Sequence, residues 1–206
     1  MDQVGPRPAI ATAETVLKLG NGIAVRGWRS SDACSSSKHL NNVNVWNNLR
    51  NRIPHPYTEE HAQSWINFCQ DKANHVKSGP WSPETGSQGP VVCPFFAITV
   101  NNEAVGGIGL EMKDDIYFRT GELGYWLGEE QWGKGIMSKV VPAVVDWCWR
   151  TFGILVRISA EVREDNVASR KLLEKAGFQY EGRRPDLICK NGILAAELMF
   201  GALRPR

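Results

Sequence analysis

Near the middle of the chain, four residues come close to a phosphate-binding signature. Gly128, four residues, then Gly133 and Lys134 reproduce the spacing of the nucleotide-binding phosphate loop. That loop continues with Ser or Thr, whose hydroxyl ligates magnesium, but here Gly135 follows. Glycines at such a turn let phosphate oxygens approach the backbone. A helix opening there adds roughly half a positive charge through its dipole. The stretch is therefore either an anion site or a tight strand–helix connection with no ligand. A nucleoside triphosphatase would need a parallel βαβ sheet and an acidic magnesium ligand as well. With hairpins upstream and no hydroxyl after the lysine, a metal-free phosphate such as a coenzyme pyrophosphate fits better.

The other residues able to do chemistry are scattered. Cys34, Cys69, Cys93, Cys148 and Cys189 show no CxxC or metal-ligand spacing and read as buried or free thiols in a reducing compartment. His39, His55, His61 and His75 have no ligand pattern, and no metal is expected. At 206 residues, 42% hydrophobic and 22% charged, the chain suits one domain with a proper core. A net charge of +2 gives no electrostatic case for nucleic-acid binding. No apolar run reaches membrane-spanning length, and the first twenty residues lack a secretory core. The pattern is that of a cytoplasmic protein, with a nuclear location also open.

Stepping outward from the turn, periodicity supplies the elements that would hold it. Strand 121–127, "GELGYWL", leads into the turn, and from 134 Ile136, Val140, Val144 and Cys148 recur as a buried helix face, interrupted by Pro142. A strand is expected over 154–162. "EDNVASRKLLEKAGF" is a helix capped by Asp165 or Asn166, with Leu172, Leu173 and Ala176 inward. Upstream, 22–28 reads as a strand, Asp32 as the cap of a helix to about Asn42, and Thr58 as the cap of a helix presenting Ala62, Trp65, Ile66 and Cys69. "PFFAITV" and "EAVGGIGLEM" flank an Asn101–Asn102 hairpin turn, and 178–184 and 193–203 are the last strands. Residues 72–92 read as a long loop. The expected organisation is an arm over 1–20 and a single α+β domain over 21–206, with a mostly antiparallel sheet.

Several of these motifs together carry a resemblance. "GELGYWLGEEQWGKGIMSKVV", "EDNVASRKLLEKAGF", "YEGRR" and "PHPYTEEHAQSWI" are similar to the GNAT superfamily of acetyl-CoA-dependent N-acetyltransferases. They are closest to its ribosomal-protein N-terminal acetyltransferase branch, over roughly residues 22–200. The resemblance implies a sheet of about six to seven strands flanked by about four helices, with two splayed central parallel strands. It lays the family's coenzyme loop on Trp132, Gly133, Lys134, Gly135, Ile136 and Met137. Trp132 and Met137 depart from the usual Arg/Gln and small residues, and Met137 would crowd the pyrophosphate.

The same resemblance places the pantetheine arm between strands 121–127 and 154–162, bonded to the backbone of Tyr125, Trp126 and Leu127. It makes Asn166 a coenzyme contact, where a plain helix cap is the alternative. Glu122 becomes the candidate base, with Glu111 in reserve and a solvent-facing strand residue as the competing interpretation. Leu173 stands where many members carry a tyrosine acid. The branch's serine falls on Ser169, as acid or coenzyme contact, against an ordinary surface serine. The acceptor groove would lie at His55, Tyr57 and Trp65 with the 72–92 loop. The implied function is acetyl transfer from acetyl-CoA to a primary amine of a peptide, protein or small molecule. A non-catalytic acyl-CoA-binding sensor or scaffold is the alternative, and monomer and homodimer are both open.

Overall fold

The computed structural model describes residues 14–205. Eight strands form one sheet: β1 (Thr15–Lys18), β2 (Ile23–Arg26), β3 (Phe95–Val100), β4 (Glu103–Met112), β5 (Thr120–Leu127), β6 (Arg157–Arg163), β7 (Gln179–Lys190) and β8 (Ile193–Leu203). Their spatial order is β1-β2-β3-β4-β5-β6-β8-β7. Every neighbouring pair is antiparallel except β5 and β6, which run parallel. The β3–β4 hairpin turns on Asn101 and Asn102, with φ of 48° and 71°, a left-handed backbone that Asn tolerates.

Five helices cover the sheet: α1 (Ala33–Leu40), α2 (Val43–Trp46), α3 (Glu59–Gln70), α4 (Ile136–Thr151) and α5 (Val167–Lys175). Strand alternation divides the interior in two. Phe96 and Ile98 of β3 face a large core with Val140, Val144 and Cys148 of α4 and Leu173 of α5. Phe95 and Ala97 face a smaller one with Leu40 of α1 and Ala62, Ile66 and Cys69 of α3. Pro142 does not end α4. It faces solvent, so the carbonyl its missing N–H leaves unpaired can bond to water.

Several boundaries depart from the sequence-based expectation. Thr15–Lys18, expected within the arm, is a strand paired with β2, and Val16, Leu17 and Leu19 pack on the large core. Residues 1–13 of that arm lie outside the described residues. The 72–92 segment folds back on itself in two short ladders, Val76–Lys77 with Val91–Val92 and Trp81–Ser82 with Gly86–Ser87. Strand β7 runs past Pro185 to Lys190, with a register shift between Arg184 and Ile188 that accommodates the proline. Asp32 stands at the N-cap position of α1 as expected, but its side chain makes no cap bond; its carboxylate pairs with buried Arg26 at 2.7 and 2.8 Å. With β1 added, the sheet has eight strands where six to seven were expected. The short α2, capped by Asn42, makes the fifth helix.

Candidate active site at a splayed strand pair

Strands β5 and β6 pair only at Thr120–Arg157, Gly121–Ile158 and Glu122–Ser159. Beyond Glu122 they separate, while β6 stays paired with β8 as far as Arg163. The sheet therefore opens in a V whose vertex is Glu122 and whose mouth is the glycine turn. Gly128 donates its N–H to Val105 at 2.8 Å across the β4 side. Antiparallel alternation then turns Trp126 and Gly124 toward β4 as well, leaving the N–H and C=O groups of Leu123, Tyr125 and Leu127 on the open edge. This corrects the expectation for Trp126: its backbone is committed to the ladder and its side chain packs on the smaller core.

The turn at the mouth is built from Gly133 and Gly135, with φ of 73° and 71°. A Cβ at either position would meet nothing within 4 Å, so the space over the turn is open. Among the described residues no acceptor takes the backbone N–H groups of Gly133, Lys134 or Gly135, and the first N–H groups of α4 lie just beyond. Open space, unpaired donors and a helix N-terminus fit a pyrophosphate. Gly128 serves a different end, because a Cβ there would stand 2.4 Å from the His39 ring. It is a packing glycine, so the near match to a phosphate loop was coincidental at its first position.

Lys134 is exposed and donates to Gln131 at 3.1 Å. Ile136 is buried in the large core, and Met137 packs against it, so the bulk of Met137 is accommodated there. Trp132 is exposed, but its indole N–H donates to the Leu127 carbonyl at 2.8 Å. The indole thus occupies one acceptor that the resemblance had assigned to pantetheine. Asn166 caps α5 by accepting from the Ser169 N–H at 3.0 Å, which leaves its amide NH₂ without a partner among the described residues.

Ser169 is joined to the site by a residue whose side chain the sequence did not single out. Its hydroxyl lies 2.7 Å from the Tyr125 phenol, which reaches across from β5. Burial pushes that phenol up to about 12, against the opposing effect of the serine hydrogen bond. A phenol raised in this way stays protonated and can hold a hydrogen bond to the serine throughout the neutral range.

On the other face of the sheet Glu122 is buried, and its two oxygens contact Arg50 and Lys113. Arg50 also reaches Glu161 at 2.9 Å, and Arg52 holds Glu111, the cross-strand neighbour of Glu122, at 2.9 Å. The Arg52 hydrogen bond keeps Glu111 below the usual carboxylate range. Farther along, Glu197 is raised by burial and by Glu161, and Arg184 lies 3.4 Å from it. Arg50 and Arg52 come from the connection after α2, where "RNR" reads like any solvated loop, so nothing local in the sequence marks them.

Beside the mouth lies a cleft of about 380 Å³, lined by Asn44, Asn47, Asn48 and Asn191 together with Trp132 and Arg163. The expected acceptor groove does not form as a unit. Tyr57 is buried in the smaller core, the tilted rings of His55 and Trp46 lie 4.7 Å apart, and Trp65 stacks on Phe68 at 5.3 Å. Trp81 of the 72–92 segment sits under the Arg119 guanidinium, beside the opposite end of β5. Among the described residues no group of three His, Cys, Asp or Glu could hold a metal ion, and no helix is long and apolar enough to cross a membrane.

A mixed sheet split at one parallel pair, with a glycine turn and helix at the mouth, is an acetyltransferase architecture. The ribosomal-protein-S5-alanine acetyltransferase from Vibrio fischeri superposes with a TM-score of 0.71 at 22% identity, over 89% of this chain and 93% of that one. The microcin C7 self immunity acetyltransferase, solved with acetyl-CoA and AMP, also gives 0.71 at 18% identity, over 91% and 95%. Residues 23–179 match the acetyltransferase (GNAT) domain, and the chain belongs to that family. An uncharacterized N-acetyltransferase p20 of Bacillus licheniformis is 37% identical over 111 residues, 53% of this chain and 61% of the relative. The chain spans less than two thirds of the length of the first curated relatives it matches.

Proposed function

We propose that the protein is an N-acetyltransferase that moves the acetyl group of acetyl-CoA directly to a primary amine. The observation that carries this reading is the loss of β5–β6 pairing after Glu122, which leaves an unpaired backbone edge leading from the glycine turn to a buried carboxylate. The coenzyme supplies an activated acetyl thioester. The N–H groups of Gly133, Lys134 and Gly135 would hold its pyrophosphate, and the Leu123–Leu127 edge and the Asn166 amide its pantetheine arm. Tyr125 holds Ser169 in place, and the serine hydroxyl offers a hydrogen bond to the departing sulfur. Trp132 closes the mouth.

Glu122 acts on the acceptor. Both of its oxygens already hold cations, so an incoming ammonium reaches it by replacing Lys113, and Arg50 remains as a counter-charge. An α-amine, of pKa about 7.7–8.0, gives up its proton near neutral pH more readily than a lysine side chain near 10.4. The carboxamides of the cleft can pair with peptide groups. We therefore place peptide or protein N-termini first among acceptors; the Vibrio fischeri neighbour is named for an alanine of a ribosomal protein.

The test is acetyl-CoA with a panel of short peptides, polyamines and small amines, with and without a chelator, reading release of free CoA. Peptide α-amines should turn over fastest, and chelation should change nothing. Magnesium-dependent ATP binding with none for acetyl-CoA would overturn the assignment. Glu122, held by two cations, also suits a second reading, a non-catalytic acyl-CoA sensor. That reading stands if the coenzyme binds and no amine raises CoA release above hydrolysis.

A further inference from the structure

We infer that Lys190 is a positioning residue for the acceptor side of the site, holding the connection after α2 so that Arg50 meets Glu122. The inference rests on the function proposed above. Residues 47–53 belong to no helix or strand, yet they deliver Arg50 to Glu122 and Glu161 and Arg52 to Glu111. Among the described residues no backbone N–H takes the Asn47 or Leu49 carbonyl. Side chains from the far end of the sheet take them instead. Lys190, at the end of β7, donates to the Leu49 carbonyl at 3.0 Å, and Arg163, at the end of β6, to the Asn47 carbonyl at 3.2 Å. The Asn191 amide adds a bond to the Asn47 side chain at 3.1 Å. Trp46 closes the segment on itself, its indole N–H donating to the Ile53 carbonyl at 2.9 Å. The Lys190 ammonium lies 3.5 Å from the centre of that indole ring.

Lys190 is the centre of this clamp. A lysine beside a hairpin turn is ordinarily solvated, but this one is only 5% exposed. Asn191 and Gly192 make the two-residue turn between β7 and β8, with φ of 54° and 77°, the left-handed backbone such a turn requires. The turn fixes Lys190 opposite Ile193. An ammonium taken out of water is costly unless its donors are used. Among the described residues no carboxylate pairs with Lys190, and the Leu49 carbonyl and the face of Trp46 take that place. Leu49 immediately precedes Arg50, so the bond fixes the backbone from which the arginine extends. Arg50 is half exposed, and its Nη2 contacts Glu122 of β5 while lying 2.9 Å from Glu161 of β6. A side chain that long holds two carboxylates on separating strands only if its base is fixed. Lys190 therefore acts on Glu122 through Arg50. It also lines the cleft beside the mouth, so a direct contact with the acceptor is the competing role.

The test compares Lys190→Met, Arg50→Met and the double variant in the full chain, with acetyl-CoA and the peptide amine that turns over fastest. Lys190→Met should lower kcat/KM for the amine about tenfold and leave acetyl-CoA affinity unchanged. In the Arg50→Met background it should cost nothing further. Lys190→Arg, which still offers a donor to the carbonyl and a cation to the ring, should recover most of the loss. Amide exchange read by mass spectrometry follows the clamp without turnover. Peptides covering 46–53 should exchange faster in Lys190→Met, while those covering 128–137 stay unchanged. Should Lys190→Met fail to fold, Lys190→Gln, shorter and still polar, is read in the same way. Additive losses would mean that Lys190 meets the acceptor itself, and unaltered exchange over 46–53 would mean that it holds nothing; either overturns the inference. If the wild-type protein acetylates no amine, the proposed function fails, and the exchange result alone decides whether Lys190 holds the connection.

Discussion

The site has two sides, and they are built from different materials. Facing α4 and α5, it is made of backbone: two left-handed glycines, the unpaired edge of β5 and the first turn of a helix. Facing α2 and the β7–β8 hairpin, it is made of charged side chains brought from distant segments, Arg50 and Lys113 on Glu122, and Arg52 on Glu111. Backbone donors cost no reorganisation and recognise a phosphate or an amide whatever hangs from it, which suits a coenzyme. Exchangeable ion pairs suit a variable amine, since one cation can leave as another arrives. On the function proposed above, the contrast gives coenzyme binding to geometry and acceptor handling to charge.

The largest effect should follow from altering the backbone side. Gly135→Val forces a branched residue into φ near 71° and fills the open space over the turn. Strain of about 1–3 kcal/mol would be felt by the fold, and acetyl-CoA affinity measured by calorimetry should fall by roughly 100-fold or more. Gly135→Asn separates the two causes, because Asn accepts the left-handed backbone yet still intrudes on the ligand. If both variants fold and bind acetyl-CoA normally, the turn is only a connection and the contrast fails.

Next in size is the charged side. Glu122→Gln keeps the shape and loses the charge, and kcat at neutral pH should drop about 10²–10⁴-fold. The loss should shrink as pH rises through the amine's own pKa, because free amine then needs no base. Coenzyme affinity should stay unchanged; a parallel loss of acetyl-CoA binding would show that Glu122 holds the V together instead.

A smaller effect is expected at the Tyr125–Ser169 pair. Ser169→Ala and Tyr125→Phe should each lower kcat by about tenfold, the worth of one hydrogen bond to a charged group. The double variant should lose no more than either one alone, since the phenol acts through the serine. With the phenol pushed up to about 12, kcat should show no inflection from this pair below about pH 10. Additive losses would mean that each residue meets the substrate separately. The smallest change belongs to Lys113→Met, which removes the cation that an acceptor displaces on the proposed reading. The KM for the amine should fall by less than tenfold with kcat little altered, and a raised KM would mean that Lys113 helps to bind the acceptor.

How far these features could be read beforehand follows the same division. The glycine turn, α4 and the α5 cap are local, and so were legible from spacing and periodicity within a dozen residues. The exceptions are instructive. Gly128 matched a motif yet is glycine because His39, from α1, presses on it. Tyr125 was named for its backbone, and only the structure shows its phenol hydrogen-bonded to Ser169 on α5. The expected groove at His55, Tyr57 and Trp65 dissolved because an apolar face says only that a residue is buried, not against what.

The sequence by itself determined the central elements, though not β1, α2 or the short ladders of 72–92, together with the mostly antiparallel sheet and the position of the turn, because hydrophobic period, caps and left-handed positions are properties of neighbouring residues. It also carried the family resemblance, whose motifs are local strings. Only the tertiary structure decided where β5 leaves β6, which backbone groups that exposes, and which cations surround Glu122. Those facts depend on pairing register and on contacts such as Arg50 with Glu122, 72 residues apart. A solvated arginine and an arginine at a buried carboxylate have the same local sequence, and only folding tells them apart.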